Sequence, residues 1–366
     1  MATLADVARQ AGVSTATVSR IINNSPKPVA EALRERVLAA VAELQFVPNA
    51  NAQQLARAQR SAVGVIVHDV SDPYFAEITR GLHRVATDHG RLVIICNSYR
   101  DPERELAYVD LLHAHQTAAI VLAGSGYHDA PVTARLDGKL RLYEDTGGRV
   151  AVIGRHRHPG DAVLPDNDEG GFLAGEHLSQ LGHTRIGVIA GPAALTTTED
   201  RLTGLRRAAA SFGQTLRVVH ADFTRDGGAE ATTALLADDP SLTAIAALND
   251  SMAVGALGAM RTAGRPLSVI GFDDMPIARD VTPSLTSVRL PLTALGERAM
   301  ELALDPSPPD APRVEHVAAE LVRRESTWPL DGCRRSCQDR WNAAARKSSI
   351  RAPRSPSPRG VTATVA

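Results

Sequence analysis

Apolar positions in the first 45 residues recur at helical spacing, whereas those from about 61 onward come in short runs, so one chain carries two architectures. Leu4, Val7, Ala8 and Ala11 stand at i, i+3, i+4 and i+7 and predict a helix. Its start is marked by the capping-box spacing Thr3-Leu4-Ala5-Asp6. Gly12 supplies a chain reversal and Ser14 a cap for a second helix. In that helix Val18, Ile21 and Ile22 form the buried stripe, leaving Thr15, Ala16, Ser19, Arg20 and Asn23 on the open side. A small, polar, basic face on the second of two short helices fits a helix-turn-helix, whose second helix enters the major groove of DNA. A third helix with Leu33, Val37, Val41 and Leu44 covers the pair. A ligand-free three-helix cap would have the same spacing, and the next segment weighs against it. Val47-Pro48-Asn49-Ala50 stops the third helix, and Asn51-Ala52-Gln53-Gln54-Leu55-Ala56-Arg57 predicts a short helix with one exposed apolar residue, Leu55.

Beyond residue 61 the runs Val63–Val67, Leu92–Cys96, Ala119–Leu122, Val150–Ile153, Ile186–Ile189, Val218–Val219, Ala244–Leu248 and Val269–Phe272 alternate with helical stretches. That order predicts two parallel, doubly wound sheets. Ligands of such sheets bind beyond the carboxyl ends of the strands. There the chain places Asp72-Pro73-Tyr74-Phe75, Asn97-Ser98, Asn249-Asp250 and Asp273-Asp274. These are ring faces and hydrogen-bonding groups suited to a polar ring, rather than a nucleophile with its base. Each Asp or Asn alone is equally suited to capping the helix that follows it.

Composition and the remaining motifs sharpen this picture. The chain of 366 residues, 44% hydrophobic, is long enough for two or three packed units. Its net charge of −1 conceals basic ends, since residues 1–60 hold seven Lys and Arg against four Asp and Glu, and residues 331–366 hold eight against two. The last segment, rich in Arg, Ser and Pro, is expected to be disordered. The opening Met1-Ala2-Thr3-Leu4-Ala5-Asp6 lacks a basic-then-apolar export signal, and no apolar run approaches the roughly 18 residues that span a bilayer. A cytoplasmic protein without membrane contact is therefore expected. Cys96 lies in an apolar run, and Cys333 with Cys337 makes a lone C-x-x-x-C pair without further matched ligands, so no disulfide framework, metal or cofactor is expected. His156-Arg157-His158 reads as an exposed loop and Gly124-Ser125-Gly126 as a short loop after a strand. No phosphate-cradling G-x-x-x-x-G-K-[ST], G-x-G-x-x-G after the first strand, or G-x-S-x-G elbow supports an enzyme.

The stretches Leu4-Ala5-Asp6-Val7-Ala8, Val13 through Arg20, Pro48-Asn49 and Ala52-Gln53-Gln54-Leu55-Ala56 resemble the lac repressor (LacI/GalR) family. The resemblance continues through Asp166-Asn167, Leu181-Gly182-His183, Arg201 with Gly204, Asn249-Asp250, Gly271-Phe272-Asp273-Asp274 and Val322 to Thr327, and covers residues 1 to about 330. It implies an N-terminal all-α helix-turn-helix domain (1–47), a hinge helix and linker (48–60), and a two-lobed α/β domain of doubly wound parallel sheets, like that of periplasmic binding proteins (61–330). Lobe 1 would take about 61–163 and 291–317, lobe 2 about 164–290 and 318–330, with the tail at 331–366. It further implies a transcriptional repressor, not an enzyme, that binds a palindromic DNA operator as a homodimer under control of a small-molecule effector, a sugar or related polar metabolite. By matching positions Thr15, Ala16 and Arg20 would read base edges beside Ser19 and Asn23, and Leu55 would wedge into the minor groove. Tyr74, Phe75, Arg201, Phe223, Asn249 and Asp273 would contact the effector, while His183 and Gly182 shape a turn. Gly154-Arg155 departs from a common Asp-Arg and removes one expected polar contact, Ala263 to Ser268 is shorter than the usual loop, and Asp129 to Arg149 carries no family motif. A transport-type sugar-binding protein would share the lobes but carry an export signal and no helix-turn-helix.

Overall fold

A computed structural model of the chain describes residues 2–23, 28–47, 60–306 and 311–330. The segment around Leu55 and the tail from residue 331, both singled out above, lie outside the described residues.

The first three helices, α1 (Leu4–Ala11), α2 (Thr15–Ile22) and α3 (Glu31–Glu43), form their own small core. The predicted capping box is present: the Thr3 hydroxyl accepts from the Asp6 amide at 3.3 Å and the Asp6 carboxylate accepts from the Thr3 amide at 2.9 Å. Gly12 takes a left-handed φ of +63° to turn the chain, and Ser14 accepts from the Thr17 amide at 3.1 Å to start α2. Val7, Ala8, Ala11, Val18, Ile21, Val37 and Ala40 are buried together. Thr15, Ala16 and Arg20 stay exposed, with Ser19 and Asn23 half-buried and joined side chain to side chain at 3.1 Å.

Two six-stranded sheets follow. The first holds β1 (Ala62–Val67), β2 (Leu92–Asn97), β3 (Ala119–Ala123), β4 (Arg149–Ile153), β5 (Asp161–Pro165) and β11 (Val314–Val317), in the order β11-β5-β4-β3-β1-β2. The second holds β6 (Ile186–Ala190), β7 (Leu216–His220), β8 (Ala244–Ala247), β9 (Ser268–Asp273), β10 (Thr286–Arg289) and β12 (Glu320–Val322), in the order β12-β10-β9-β8-β6-β7. All pairings are parallel except β10 with β12. Each sheet thus reverses direction of growth at its first strand, between β1 and β3 and between β6 and β8, which is where doubly wound sheets open a crevice. The eight expected strands are present; β5, β10, β11 and β12 are additional.

Helices cover both faces: α4 (Pro73–Asp88), α5 (Pro102–Ala114), α6 (Ala130–Asp145), α7 (Asn167–Gln180), α8 (Thr196–Ser211), α9 (Arg225–Asp238), α10 (Asp250–Thr262), the short α11 (Ile277–Asp280) and α12 (Leu292–Leu304). The chain passes between the sheets three times, from β5 into α7, from β10 into α12, and from β11 into β12. Glycines let α7 and α8 cross at backbone contact: a Cβ on Gly204 would lie 1.7 Å from the Asp168 carbonyl oxygen, and one on Gly171 2.0 Å from that of Arg201. That crossing sets the position of Arg201.

Candidate functional site

The carboxyl ends of the strands of both sheets converge on a cavity of about 40 Å³. Its walls come from residues just past strands: His68 after β1, Asp72, Tyr74 and Phe75 at the start of α4, Arg100 after β2, Ser125 after β3, Phe223 after β7, Asn249 after β8 and Asp273 ending β9, with Leu195 and Thr197 at the start of α8 and Arg201 in its second turn. All six residues expected to contact a ligand, Tyr74, Phe75, Arg201, Phe223, Asn249 and Asp273, line this one space. The capping alternative holds as well. The Asp72 carboxylate accepts from the Tyr74 amide at 3.0 Å and Asn249 from the Met252 amide at 2.8 Å, so both residues cap a helix while facing the cavity.

Arg201 is 2% exposed and fully engaged. Its Nε donates to Asn167 at 2.9 Å, one terminal nitrogen to the Leu248 carbonyl at 2.6 Å and the other to Asp273 at 2.8 Å, while its guanidinium lies 3.8 Å from the centre of the Phe272 ring. Burial, together with the nearby Asp72, pushes the Asp273 carboxyl above its ordinary value against the pull of Arg201. Burial likewise raises Asp72, whose carboxylate stands 3.6 Å from Arg100. Arg100 in turn reaches the Phe223 ring at 5.5 Å, a contact between the two sheets' halves. The Tyr74 and Phe75 rings meet edge to face at 5.0 Å. The site therefore offers aromatic faces, donors and acceptors, and two balanced charge pairs.

Four expectations need correction or completion. Gly124-Ser125-Gly126 is more than a loop after a strand. Ser125 hydrogen-bonds Thr197, the Gly126 carbonyl accepts from the Thr196 amide at 3.0 Å, and Tyr127 pairs with Leu195 in an antiparallel bridge, so this loop seals the cavity against the other lobe. His158 is buried, contrary to an exposed loop, because Asp137 and Glu144 on α6 hold its ring at 3.0 and 3.4 Å. Burial opposes charge on that ring, but the two carboxylates outweigh it and raise its pKa. Arg155, beside the departure at Gly154, bridges the rim to Glu199 at 2.9 Å and Asp200 at 2.6 Å. His68, Arg100, Ser125, Leu195 and Thr197 were absent from the expected set, although His68 directly follows β1 and Arg100 and Ser125 come soon after β2 and β3, where the strand-end rule points. Gly182, with φ +85°, and His183, bonded to Thr243 at 3.1 Å and to the Trp328 carbonyl at 3.0 Å, form the expected turn.

No described helix is long and apolar enough to cross a membrane. Comparison with known proteins agrees with the two architectures. Residues 60–295 match the periplasmic binding proteins and sugar binding domain of the LacI family, and residues 3–49 match the bacterial regulatory proteins of the lacI family. The chain is 38% identical over 340 residues to the HTH-type transcriptional regulator GalR of Escherichia coli (strain K12), covering 89% of this chain and 96% of that protein. Among solved structures, the lac repressor dimer bound to operator and an anti-inducer superposes with a TM-score of 0.78 at 27% identity, over 89% of this chain and 99% of that one. A LacI family regulator from Enterococcus faecium with bound ribose superposes at 0.67 and 26% identity, over 74% and 100%. With its helix-turn-helix followed by a two-lobed cleft domain, the chain belongs to the LacI family of DNA-binding, ligand-modulated transcriptional regulators.

Proposed function

We propose that this regulator is a cytoplasmic repressor that binds a palindromic operator as a homodimer and takes a carbohydrate or related polar metabolite between its lobes. The observation that carries the effector reading is the lining of the cavity, with aromatic faces, neutral and charged hydrogen-bonding groups and no nucleophile paired to a base; at about 40 Å³ the space admits a sugar ring only once the lobes part. The ribose bound to the Enterococcus faecium relative supports the same ligand class. Domains are read as 1–47 for DNA binding, 48–60 for hinge and linker, 61–330 for effector binding and dimerisation, and 331–366 for the tail. On the headpiece, exposed Thr15, Ala16 and Arg20 would meet base edges with Ser19 and Asn23 flanking them, and Arg20 suits bidentate pairing to guanine. Tyr74, Phe75 and Phe223 would cover the ring face of the effector, and Arg201, Asn249 and Asp273 would fix its hydroxyls.

Edge strand β2 supports the homodimer. It leaves Leu92 and Ile95 exposed, and Ile95 shares a surface groove with exposed Val70. An Ile95→Glu variant is expected to sediment as a monomer and to lose operator binding while still folding.

The deciding experiment is protection of the protein's own upstream DNA at fixed salt, titrated with a panel of sugars and nucleosides. A protected palindrome whose occupancy one sugar shifts establishes the proposal. Protection shifted only by a nucleoside replaces the carbohydrate reading, and protection of a single half-site removes the dimer. Leu55→Ala is expected to weaken operator binding without unfolding either domain, and an unchanged gel shift removes the role given to Leu55.

A further inference from the structure

The wall of the cavity contributed by the first sheet contains a histidine held from behind by a buried carboxylate. His68, 3% exposed, presents Nε2 to Glu105 Oε1 at 3.1 Å, and Glu105 is 4% exposed. The same oxygen accepts the Ser98 hydroxyl at 3.2 Å and the Tyr127 hydroxyl at 3.0 Å. The His68 ring is flanked by Phe75 at 5.7 Å and Tyr127 at 5.9 Å between ring centres. A Cβ at Gly124 would come within 2.9 Å of Nε2, so only glycine leaves the ring its place. The place and tilt of this imidazole are thus set by its neighbours.

Fixing Nε2 decides what the rest of the ring can do. With Nε2 3.1 Å from a carboxylate oxygen, which can only accept, the neutral tautomer that suits this contact carries its proton on Nε2 and keeps the lone pair on Nδ1. Nδ1 has no hydrogen-bond partner among the described residues, nor is it among their sealed, unpartnered polar atoms, and His68 lines the cavity. We infer that His68 is a specificity-determining residue of the effector cleft: its Nδ1 accepts a hydrogen bond from one hydroxyl of a polyhydroxy ring, with Glu105 as the residue that positions it. This assignment rests on the carbohydrate reading of the cleft.

Three groups converging on one Glu105 oxygen make the positioning more than packing. Swapping the carboxylate for an amide lets the new NH₂ donate to Nε2, which moves the ring proton to Nδ1 and turns an acceptor into a donor. Preference among ligands should then change along with affinity. A site built to bond a particular hydroxyl rejects the analogue lacking it far more strongly than a merely snug one does.

The test uses the full chain and isothermal titration with D-galactose, D-glucose and D-ribose, followed by the monodeoxy and monofluoro analogues of each sugar that binds. Fluorine accepts weakly and cannot donate, so loss of a donor hydroxyl shows in both analogues. The expected result is one hydroxyl position whose deoxy and fluoro analogues each bind the native protein about ten- to a hundredfold more weakly. That penalty should vanish on His68→Phe and be reduced on Glu105→Gln, while penalties at other positions persist. Tyr127→Phe, which keeps the ring, should reduce the same penalty by less. Should His68→Phe fold, bind sugar and retain every analogue penalty, the assignment is overturned while the effector site stands. If all variants shift melting temperature but none changes the ratio between analogues, the network is structural only and the assignment is overturned. If no sugar binds the native protein, the carbohydrate reading falls and this assignment with it.

Discussion

Arg201 engages three acceptors and an aromatic face inside the protein, so its loss is felt before any ligand arrives. Arg201→Ala leaves Asn167, the Leu248 carbonyl and above all Asp273 buried without their donor. A stability loss of about 3–5 kcal/mol in urea denaturation is expected. His177 makes a prediction of different sign with pH. Burial first, with Arg323 and His183 nearby, pushes its pKa from 6.5 down to about 4, and its ring keeps a 2.9 Å contact with Thr327. The folded chain therefore refuses a proton that the unfolded chain accepts, so the contribution of His177 is present at neutral pH and is lost as pH falls from about 6.5 towards 4. His177→Gln should flatten that acid limb, read as a shallower fall of melting temperature between pH 7 and pH 4.5.

At the scale of elements, the glycine crossings are the most sensitive joints. Gly204→Ala would drive a methyl into the Asp168 carbonyl, separate α7 from α8 and carry Arg201 away from Asp273. A cost of about 1–3 kcal/mol or more is expected on calorimetry, with sugar affinity falling alongside. Gly12→Ala, placed at a left-handed φ, should weaken only the headpiece and lower operator affinity while leaving ligand titration unchanged. The helices of the headpiece were legible from Thr3, Gly12 and Ser14 because their caps are local, and eight strands were legible because β-branched runs announce themselves. The other four are only three to five residues long, too short for a run to stand out, and in Thr286-Ser287-Val288-Arg289 the two hydroxyls donate to the Arg324 carbonyl and the Asp250 carboxylate from distant segments. His68 was within reach of the strand-end rule, but nothing beside it in sequence announces its support by Glu105, 37 residues away. Strand-end chemistry can be read locally, whereas what holds it cannot.

For the whole molecule, the cavity lies where lobe closure can be felt. The rim joins Gly126, Tyr127 and His128 to Ala194, Leu195 and Thr196 through backbone bonds, and Arg155 to Glu199 and Asp200 through charge. Arg155→Ala removes a half-exposed pair worth under about 1 kcal/mol to overall stability. It should nevertheless speed sugar dissociation severalfold, measured by stopped-flow, because the pair joins one lobe to the other across the rim. Whatever ligand shifts operator affinity must have its own affinity shifted by operator to the same extent, which titration with and without DNA checks. The three passages between the sheets carry one more implication, for how such regulators can be recombined. The headpiece is one uninterrupted stretch with its own core, so a single splice near residue 60 can graft it onto another cleft domain. Neither lobe is an uninterrupted stretch: β11 belongs to the first sheet but follows β10 of the second, so exchanging one lobe between relatives takes several splices at once. New operators are therefore within reach of one recombination event, while new ligands must be reached residue by residue along the walls of the cleft.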